Sequence, residues 1–261
     1  MTKDLPVIHA LWIGNKLGSI SSSCLYSFVM RGHNVHLHTY GEIEDLPKGI
    51  KICNANDIIL EKNIFKHKET GSYALFSDLF RYELLKNVDG IYVDCDVYCL
   101  KPLVVPSSGY LLGYEEDGRV NGAVLALPKE SKLLRKLLDA SNNPDFIPSW
   151  YLENKQKKLR IKKFFGLAKQ LVDMPWGVIG PEAISFYVKE LNLSSHIAPI
   201  DIFYPVHFNC VSQLIDSELD LNDIISSRTL CVHLYNEMLK KVDISKLNCE
   251  SILSKMLTNK I

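Results

Sequence analysis

Neither sign of charge predominates in this sequence. Thirty basic residues stand against thirty acidic ones over 261 positions, so the formal net charge is zero. That balance withholds the broad positive field on which nucleic-acid binding rests, and the whole chain makes no case for nucleic acid. Cysteine has no pattern. The seven present are an odd number, scattered, with no C-x-x-C pair, and Cys95 and Cys99 are the closest two. A zinc knuckle is thereby excluded, and free thiols in a reducing cytoplasm are the expectation. Long apolar runs are missing too. The run Val7–Ile13 is broken by His9 and preceded by Asp4 and Pro6, so neither a signal peptide nor a membrane span is expected. With no repeat and no low-complexity linker, residues 1–261 read as one α/β domain, although the length also permits two.

Apolar strands and helical periods alternate along the chain. Val7–Ile13, Val35–Tyr40 and Ile50–Cys53 read as strands, with a helix from about Ser21 to Arg31 between the first two. Ala55-Asn56-Asp57 starts a further helix or turn. A helix over Ser72–Asn87 leads into a strand at Ile91–Asp94. Gly109–Tyr114 and Val120–Leu127 frame an acidic turn, Glu115-Glu116-Asp117-Gly118. Helices are expected over Glu130–Ala140, Pro181–Leu191 and Ile244–Leu257 (a C-terminal helix within 243–261), and strands at Ile197–Ile202 and Thr229–Leu234. Such alternation predicts an open, mostly parallel sheet flanked by helices, with its site at the carboxyl edge.

The stretch Leu75–Pro102 carries the chemistry. An amphipathic helix, a Gly turn and an apolar strand end on Asp94 and Asp96, one residue apart. Alternate side chains of a strand share a face, so both carboxylates can point one way and Cys95 the other. Two such carboxylates repel unless a cation lies between them. Hard oxygen ligands suit Mg²⁺ or Mn²⁺, which keep positions open for phosphates. A metal-diphosphate site is the simplest reading; a strand-capping surface turn is the plainer one. Asp78 and Arg81, three apart, share a helix face and can form an ordinary ion pair.

Ser77-Asp78-Leu79-Phe80-Arg81-Tyr82, Gly90-Ile91-Tyr92-Val93-Asp94-Cys95-Asp96 and Leu100-Lys101-Pro102 together resemble the sugar-binding region of DxD glycosyltransferases. That group includes yeast initiating mannosyltransferases, α-1,4-galactosyltransferases, and bacterial capsule and polysaccharide enzymes, O-antigen enzymes among them. Ile8-His9-Ala10-Leu11-Trp12-Ile13-Gly14, Asn121-Gly122, Gly180-Pro181 and His233-Leu234-Tyr235-Asn236 follow the family order as well. The resemblance implies the nucleotide-sugar fold called GT-A and a metal-dependent hexosyl transfer from a UDP-sugar to a glycan or lipid-linked oligosaccharide, with retention. It further implies that Asp96 binds Mn²⁺ or Mg²⁺ and that Asp94 contacts the sugar nucleotide and shares the metal. Asp78 and Arg81 would hold the donor sugar, Asn121 a sugar hydroxyl, and Trp12 with Ile13 the uracil. Tyr92 would line the nucleotide pocket, and His233 would bind metal or diphosphate with Asn236 beside it. Core packing for Trp12 and Tyr92, a turn role for Asn121 and a structural role for His233 are the plainer readings. Where the family carries a Ser and a Trp after this motif, the chain has Glu237, Met238 and Leu239, which puts closure over the phosphates in doubt.

Residues 142–175 read as a helical insertion. Its segment Lys155–Lys169 holds seven basic residues and no acidic one, with Leu159, Ile161, Phe164, Phe165 and Leu167 among them. A basic amphipathic helix of this composition is expected at an anionic membrane surface, which makes the protein cytoplasmic and peripheral on the membrane's inner face. A solvated helix packed by its aromatic side is the plainer reading. Two further classes compete with a transferase. A haloacid-dehalogenase-like phosphatase also places DxD after an apolar strand, but near its start and before a Gly-Thr turn, where this chain has Val97-Tyr98. A non-catalytic sugar-binding protein on the same fold is the second.

Overall fold

The computed structural model describes residues 4–240 and 247–261. Of three short strands near the start, the first two are largely buried, as parallel strands covered by helices must be, and the third is an edge strand with an exposed side. They are β1 (Ile8–Trp12), β2 (Val35–Thr39) and β3 (Ile50–Asn54). They pair in parallel, β1 with β2 and β2 with β3, and β4 (Ile91–Val93) runs parallel to the other side of β1. Beyond β4 the sheet turns antiparallel. A short ribbon, β5 (Val97–Cys99), will pair elsewhere, and the hairpin β6 (Leu111–Glu116) and β7 (Arg119–Ala126) completes the order β3-β2-β1-β4-β7-β6. The open, mostly parallel α/β sheet expected from the sequence is present.

Period-two alternation in β4 splits the core. Ile91 and Val93 face one side with Leu25 and Phe28, while Tyr92 faces the other with Phe76 and Phe80. Those two sides are closed by α1 (Gly18–Met30) and α2 (Ala74–Asn87). Helix α3 (Lys132–Ser141) begins with Ser131 Oγ accepting from the Leu134 N–H, an ordinary side-chain cap. The chain continues through α4 (Glu153–Phe164), α5 (Pro181–Glu190), and short helices α6 (Ile200–Phe203), α7 (Leu221–Ile224) and α8 (Asn236–Leu239). Strand β8 (Cys231–His233) pairs antiparallel with β5 to form a separate two-stranded ribbon. Helix α9 (Ile252–Leu257) packs on α1.

Several expectations need correction. Ile197–Ile202 is not a strand: Ala198 makes a single bridge to Gly113, and the chain then turns into α6. Pro199 explains this, since it lacks the N–H that a ladder would use and suits a helix entrance. Glu115 and Glu116 belong to β6, leaving Asp117-Gly118 as the turn. Ribbon strand β5 was not anticipated. The C-terminal helix over 243–261 is helical at Ile252–Leu257 among the described residues, and residues 243–246 lie outside them. Within 142–175, α4 buries no residue, and Phe164 and Phe165 are 84% and 70% exposed. The helix is therefore not packed through its aromatic side. No helix among the described residues is long and apolar enough to cross a membrane.

Candidate active site

The DxD carboxylates converge through a turn, and strand alternation has no part in it. β4 stops at Val93, Asp94 receives a hydrogen bond to its carbonyl from the Val97 N–H at 3.2 Å, and β5 starts at Val97. The turn aims Asp94 toward α2 and Asp96 toward β8. Cys95 goes the other way, as expected, its thiol donating to the Leu11 carbonyl at 3.4 Å.

Arg81 is the hub of the first half. It is 5% exposed, and its Nη2 lies 3.0 Å from Asp94 Oδ1 and 3.4 Å from Asp78 Oδ1. Its Nη2 also donates to Ser77 Oγ at 3.3 Å, and its guanidinium sits 4.8 Å over the Tyr92 ring. Burial opposes its charge, yet Asp94 and Asp78 together hold its pKa above the ordinary value. The Asp78–Arg81 pair foreseen on the helix face is thus real and buried, and Arg81 keeps Asp94 as its nearer partner. Burial drives the Asp78 carboxyl up from 3.8 to about 7, with Arg81 pulling down and Asp94 pushing up. Backbone must come close for this packing. A Cβ on Gly180 would lie 2.8 Å from Asp78 Cγ, and one on Gly122 would lie 2.8 Å from Arg81 Nη1.

The second half joins segments 137 residues apart. His233 Nε2 is 3.1 Å from Asp96 Oδ1, and the Asn236 N–H donates to Asp96 Oδ2 at 2.9 Å. Asn236 can do this because Tyr235 takes a left-handed backbone, φ +50°, which turns α8 so that its first N–H meets the carboxylate. Burial works against charge at both groups, but their mutual attraction wins: the Asp96 pKa is lowered and the His233 pKa raised. Asp94 is raised, first by burial, then by Asp96 against the pull of Arg81.

Asp94, Asp96 and His233 each offer one ligand atom, all within 4.8 Å of one another. The two carboxylates keep 27% and 20% of their side-chain exposure, so the cluster opens outward. His233 Nδ1 is buried with no hydrogen-bond partner among the described residues. Two hard oxygens and one imidazole nitrogen fit Mn²⁺ or Mg²⁺.

A cavity of about 420 Å³ is lined on one side by Ser77, the residue that bonds to Arg81. Trp12 and Ile13 line it from the end of β1, Tyr73 and Ser77 from α2 and its entrance, and Glu237 and Lys240 from the C-terminal segment. Ser77 connects the two parts, since its hydroxyl meets both Arg81 and the Tyr92 hydroxyl, the latter at 3.0 Å. Trp12 Nε1 is a buried donor without a partner among the described residues. Unlike the implied placement, Tyr92 does not face the cavity. It is 1% exposed and stands behind Ser77 and Arg81, in the core. Asn121 is on β7, not in a turn. Its Nδ2 donates to Glu115 Oε2 at 2.6 Å and its Oδ1 accepts from the Ala123 N–H at 2.8 Å. Asn236 serves through its backbone. The departure at Glu237–Leu239 still brings the C-terminal segment to the cavity rim. Sequence reasoning assigned no role to Ser77, Glu115, Tyr235 or Lys240. Ser77, Tyr235 and Gly180 stood inside motifs already noted; Glu115 read only as part of an acidic turn, and Lys240 gave no signal.

Residues 31–115 match the family described as a glycosyltransferase sugar-binding region containing a DXD motif. The match takes in Asp78, Arg81, Tyr92, Asp94 and Asp96, and it bears out the resemblance read from the sequence and the enzyme class that goes with it. Trp12, Asn121 and His233 lie outside the matched stretch. Subversion of eukaryotic traffic protein A of Legionella pneumophila is 24% identical over 156 residues, 56% of this chain and 23% of that protein. The chain therefore spans less than a quarter of that relative's length. Among solved structures, PaToxG glycosyltransferase is 18% identical with a TM-score of 0.42, covering 73% of each chain. The apo bifunctional glycosyltransferase WbbM is 11% identical with a TM-score of 0.34, over 100% of this chain and 52% of that one. Both scores are below the level at which a likeness bears on mechanism.

Proposed function

We propose that this chain transfers a hexosyl unit from a nucleoside-diphosphate sugar, UDP-linked, to a glycan or lipid-linked acceptor, with retention. The observation that carries the reading is the adjacency of two features. The Asp94–Asp96–His233 cluster and the Trp12 cavity are joined by Ser77 and Arg81. A nucleotide sugar needs these two environments side by side, an aromatic wall for the base and charged ligands for the diphosphate and sugar.

In this reading Trp12 flanks the base, and its Nε1–H, without a partner among the described residues, is available to the donor. Arg81, fixed by Asp94 and Ser77, presents positive charge beside the sugar. Asp78 accepts from sugar hydroxyls, so orientation is set before reaction. Asp94, Asp96 and His233 would hold Mn²⁺ or Mg²⁺, which when bound neutralises charge on the departing diphosphate. No further carboxylate is assigned as a nucleophile, in keeping with front-face displacement in which the leaving phosphate helps deprotonate the acceptor. Seven free cysteines support a reducing compartment, hence a cytoplasmic protein.

Nucleotide release from a panel of nucleotide sugars, measured with Mn²⁺ and with EDTA, tests this. Asp96→Asn keeps an acceptor for the Asn236 N–H and should fold normally while losing at least about a hundredfold in turnover. Near-normal turnover by folded Asp96→Asn, or full activity in EDTA, would refute the reading. Trp12→Ala should instead weaken UDP binding, by about 1–3 kcal/mol in calorimetry.

A further inference from the structure

Nothing in the site uses the insertion between α3 and α5. Its two arms are well anchored. Trp150 packs on Phe186 and Tyr187, and its Nε1–H donates to Glu182 at 3.1 Å. On the return, His67 Nε2 lies 2.8 Å from the Met174 carbonyl, and the Lys68 N–H donates to Val172. Thr70, Gly71 and Ser72, which line the Trp12 cavity, follow directly. The insertion is therefore fastened beside the cavity rim, while α4 itself stands off the body.

Helix α4 has two unequal sides. Gln156 and Leu159, three residues apart, form the half-buried one, and Gln156 Nε2 donates to the Ser149 and Tyr151 carbonyls. Lys158, Ile161 and Phe165, at i, i+3 and i+7, turn outward on the opposite side. Around them Leu152, Ile161, Phe164, Phe165 and Leu167 are 77%, 59%, 84%, 70% and 70% exposed. These include the most exposed large apolar side chains among the described residues. Lys157 pairs with Glu153 and Lys163 with Asp145 at 3.7 Å, but Lys158, Arg160, Lys162 and Lys169 have no carboxylate within ion-pair distance among the described residues.

Exposed Phe pairs in water are unfavourable, and uncompensated ammonium groups beside them call for anionic charge. A surface that is apolar inside and anionic outside satisfies both at once. We infer that residues 152–167 dock on an anionic phospholipid bilayer, with Phe164, Phe165 and Leu167 entering the headgroup boundary and the lysines meeting lipid phosphates and carboxylates. The chain's neutral total charge argues against a general polyanion surface, because the basic excess is confined to this one protrusion. Docking by this element turns the adjoining cavity rim toward the membrane, where a lipid-borne acceptor would be found.

The test is flotation of the full chain with phosphatidylcholine vesicles, with and without phosphatidylserine. Wild type should bind only the anionic vesicles and be partly released as salt rises, since exposed charges are screened over about 8–10 Å at moderate ionic strength. Replacing Lys157, Lys158, Lys162 and Lys163 with Gln should weaken binding at least about tenfold. Phe164→Ser with Phe165→Ser should remove the part that survives salt, because apolar insertion is not screened. These side chains are exposed, so melting temperature and nucleotide-sugar hydrolysis should be unchanged in both variants, which separates failure here from failure of the transferase reading. Equal binding to neutral and anionic vesicles, equal binding by the four-Gln variant, or binding to heparin or transfer RNA with none to vesicles would overturn the inference.

Discussion

Asp78 carries a tension between stability and function. Its carboxyl is pushed from 3.8 to about 7 by burial, so the folded chain holds that proton more tightly than the unfolded chain does. Folding stability therefore falls as pH climbs from 3.8 through about 7, and above that the full penalty of a buried charge is present. Asp78→Asn removes the penalty. The variant should melt higher than wild type at about pH 8 while losing turnover, and calorimetry showing an equal or lower melting temperature there would mean Arg81 already compensates the charge. Gly180 supplies a second prediction. A Cβ at this position would press on the Asp78 carboxylate, so Gly180→Ala should cost about 1–3 kcal/mol and impair transfer. Gly41→Ala, where a Cβ would meet nothing within 4 Å, is the control and should change neither.

Helix α4 buries no residue, so replacing 153–167 by a short Gly-Ser linker should leave thermal stability within about 0.5 kcal/mol. A large loss in a denaturant titration would reveal packing that its exposure does not suggest. How well each element could be read in advance follows from what buries it. Strand β1 was legible because a parallel strand covered on both faces needs apolar residues at nearly every position, as in Ile8–Trp12, whereas β2 and the edge strand β3 showed through apolar residues at alternate positions. α2 was legible through its period, which set Asp78 and Arg81 on one side. Ile197–Ile202 misled because its apolar spacing imitates a strand while Pro199 forbids the ladder. β5 escaped notice because three residues after a turn carry no period, and its partner β8 is remote in sequence. The DxD pair was legible as chemistry; its geometry was not, since a turn and a left-handed Tyr235, invisible to alternation, aim the two carboxylates. Glu115 looked like a surface turn residue and is 5% exposed, because β6 extends further than its apolar part.

At the scale of the whole molecule, acid should loosen the sheet before it protonates most carboxylates. His9 and His38, 4% and 5% exposed, contact each other at 3.0 Å across β1 and β2. Burial first, and for His38 the neighbouring histidines, lower both from 6.5 to about 4. The unfolded chain then binds more protons than the folded one between those values. Stability from this pair is complete above about 6.5 and declines as pH falls toward 4, by at most about 3 kcal/mol per histidine and less than double for the coupled two. Asp78 works in the opposite direction over the same range, so a difference measurement is needed. His38→Gln should lose less melting temperature than wild type on going from about pH 7 to about pH 5; an equal loss would show that the pair does not titrate. The Asp96–His233 contact has a different kind of consequence. Its partners are separated by 137 residues, and Asn236 completes it. During synthesis, at about 5–20 residues per second, the ribosome must still add the whole stretch from Asp96 to beyond Asn236 after the DxD turn has emerged. The nascent chain therefore holds its acidic pair without the imidazole and amide that steady it. Sugar chemistry is deferred until β8 has arrived, and a chain cut short before β8 keeps most of the sheet and none of the completed site.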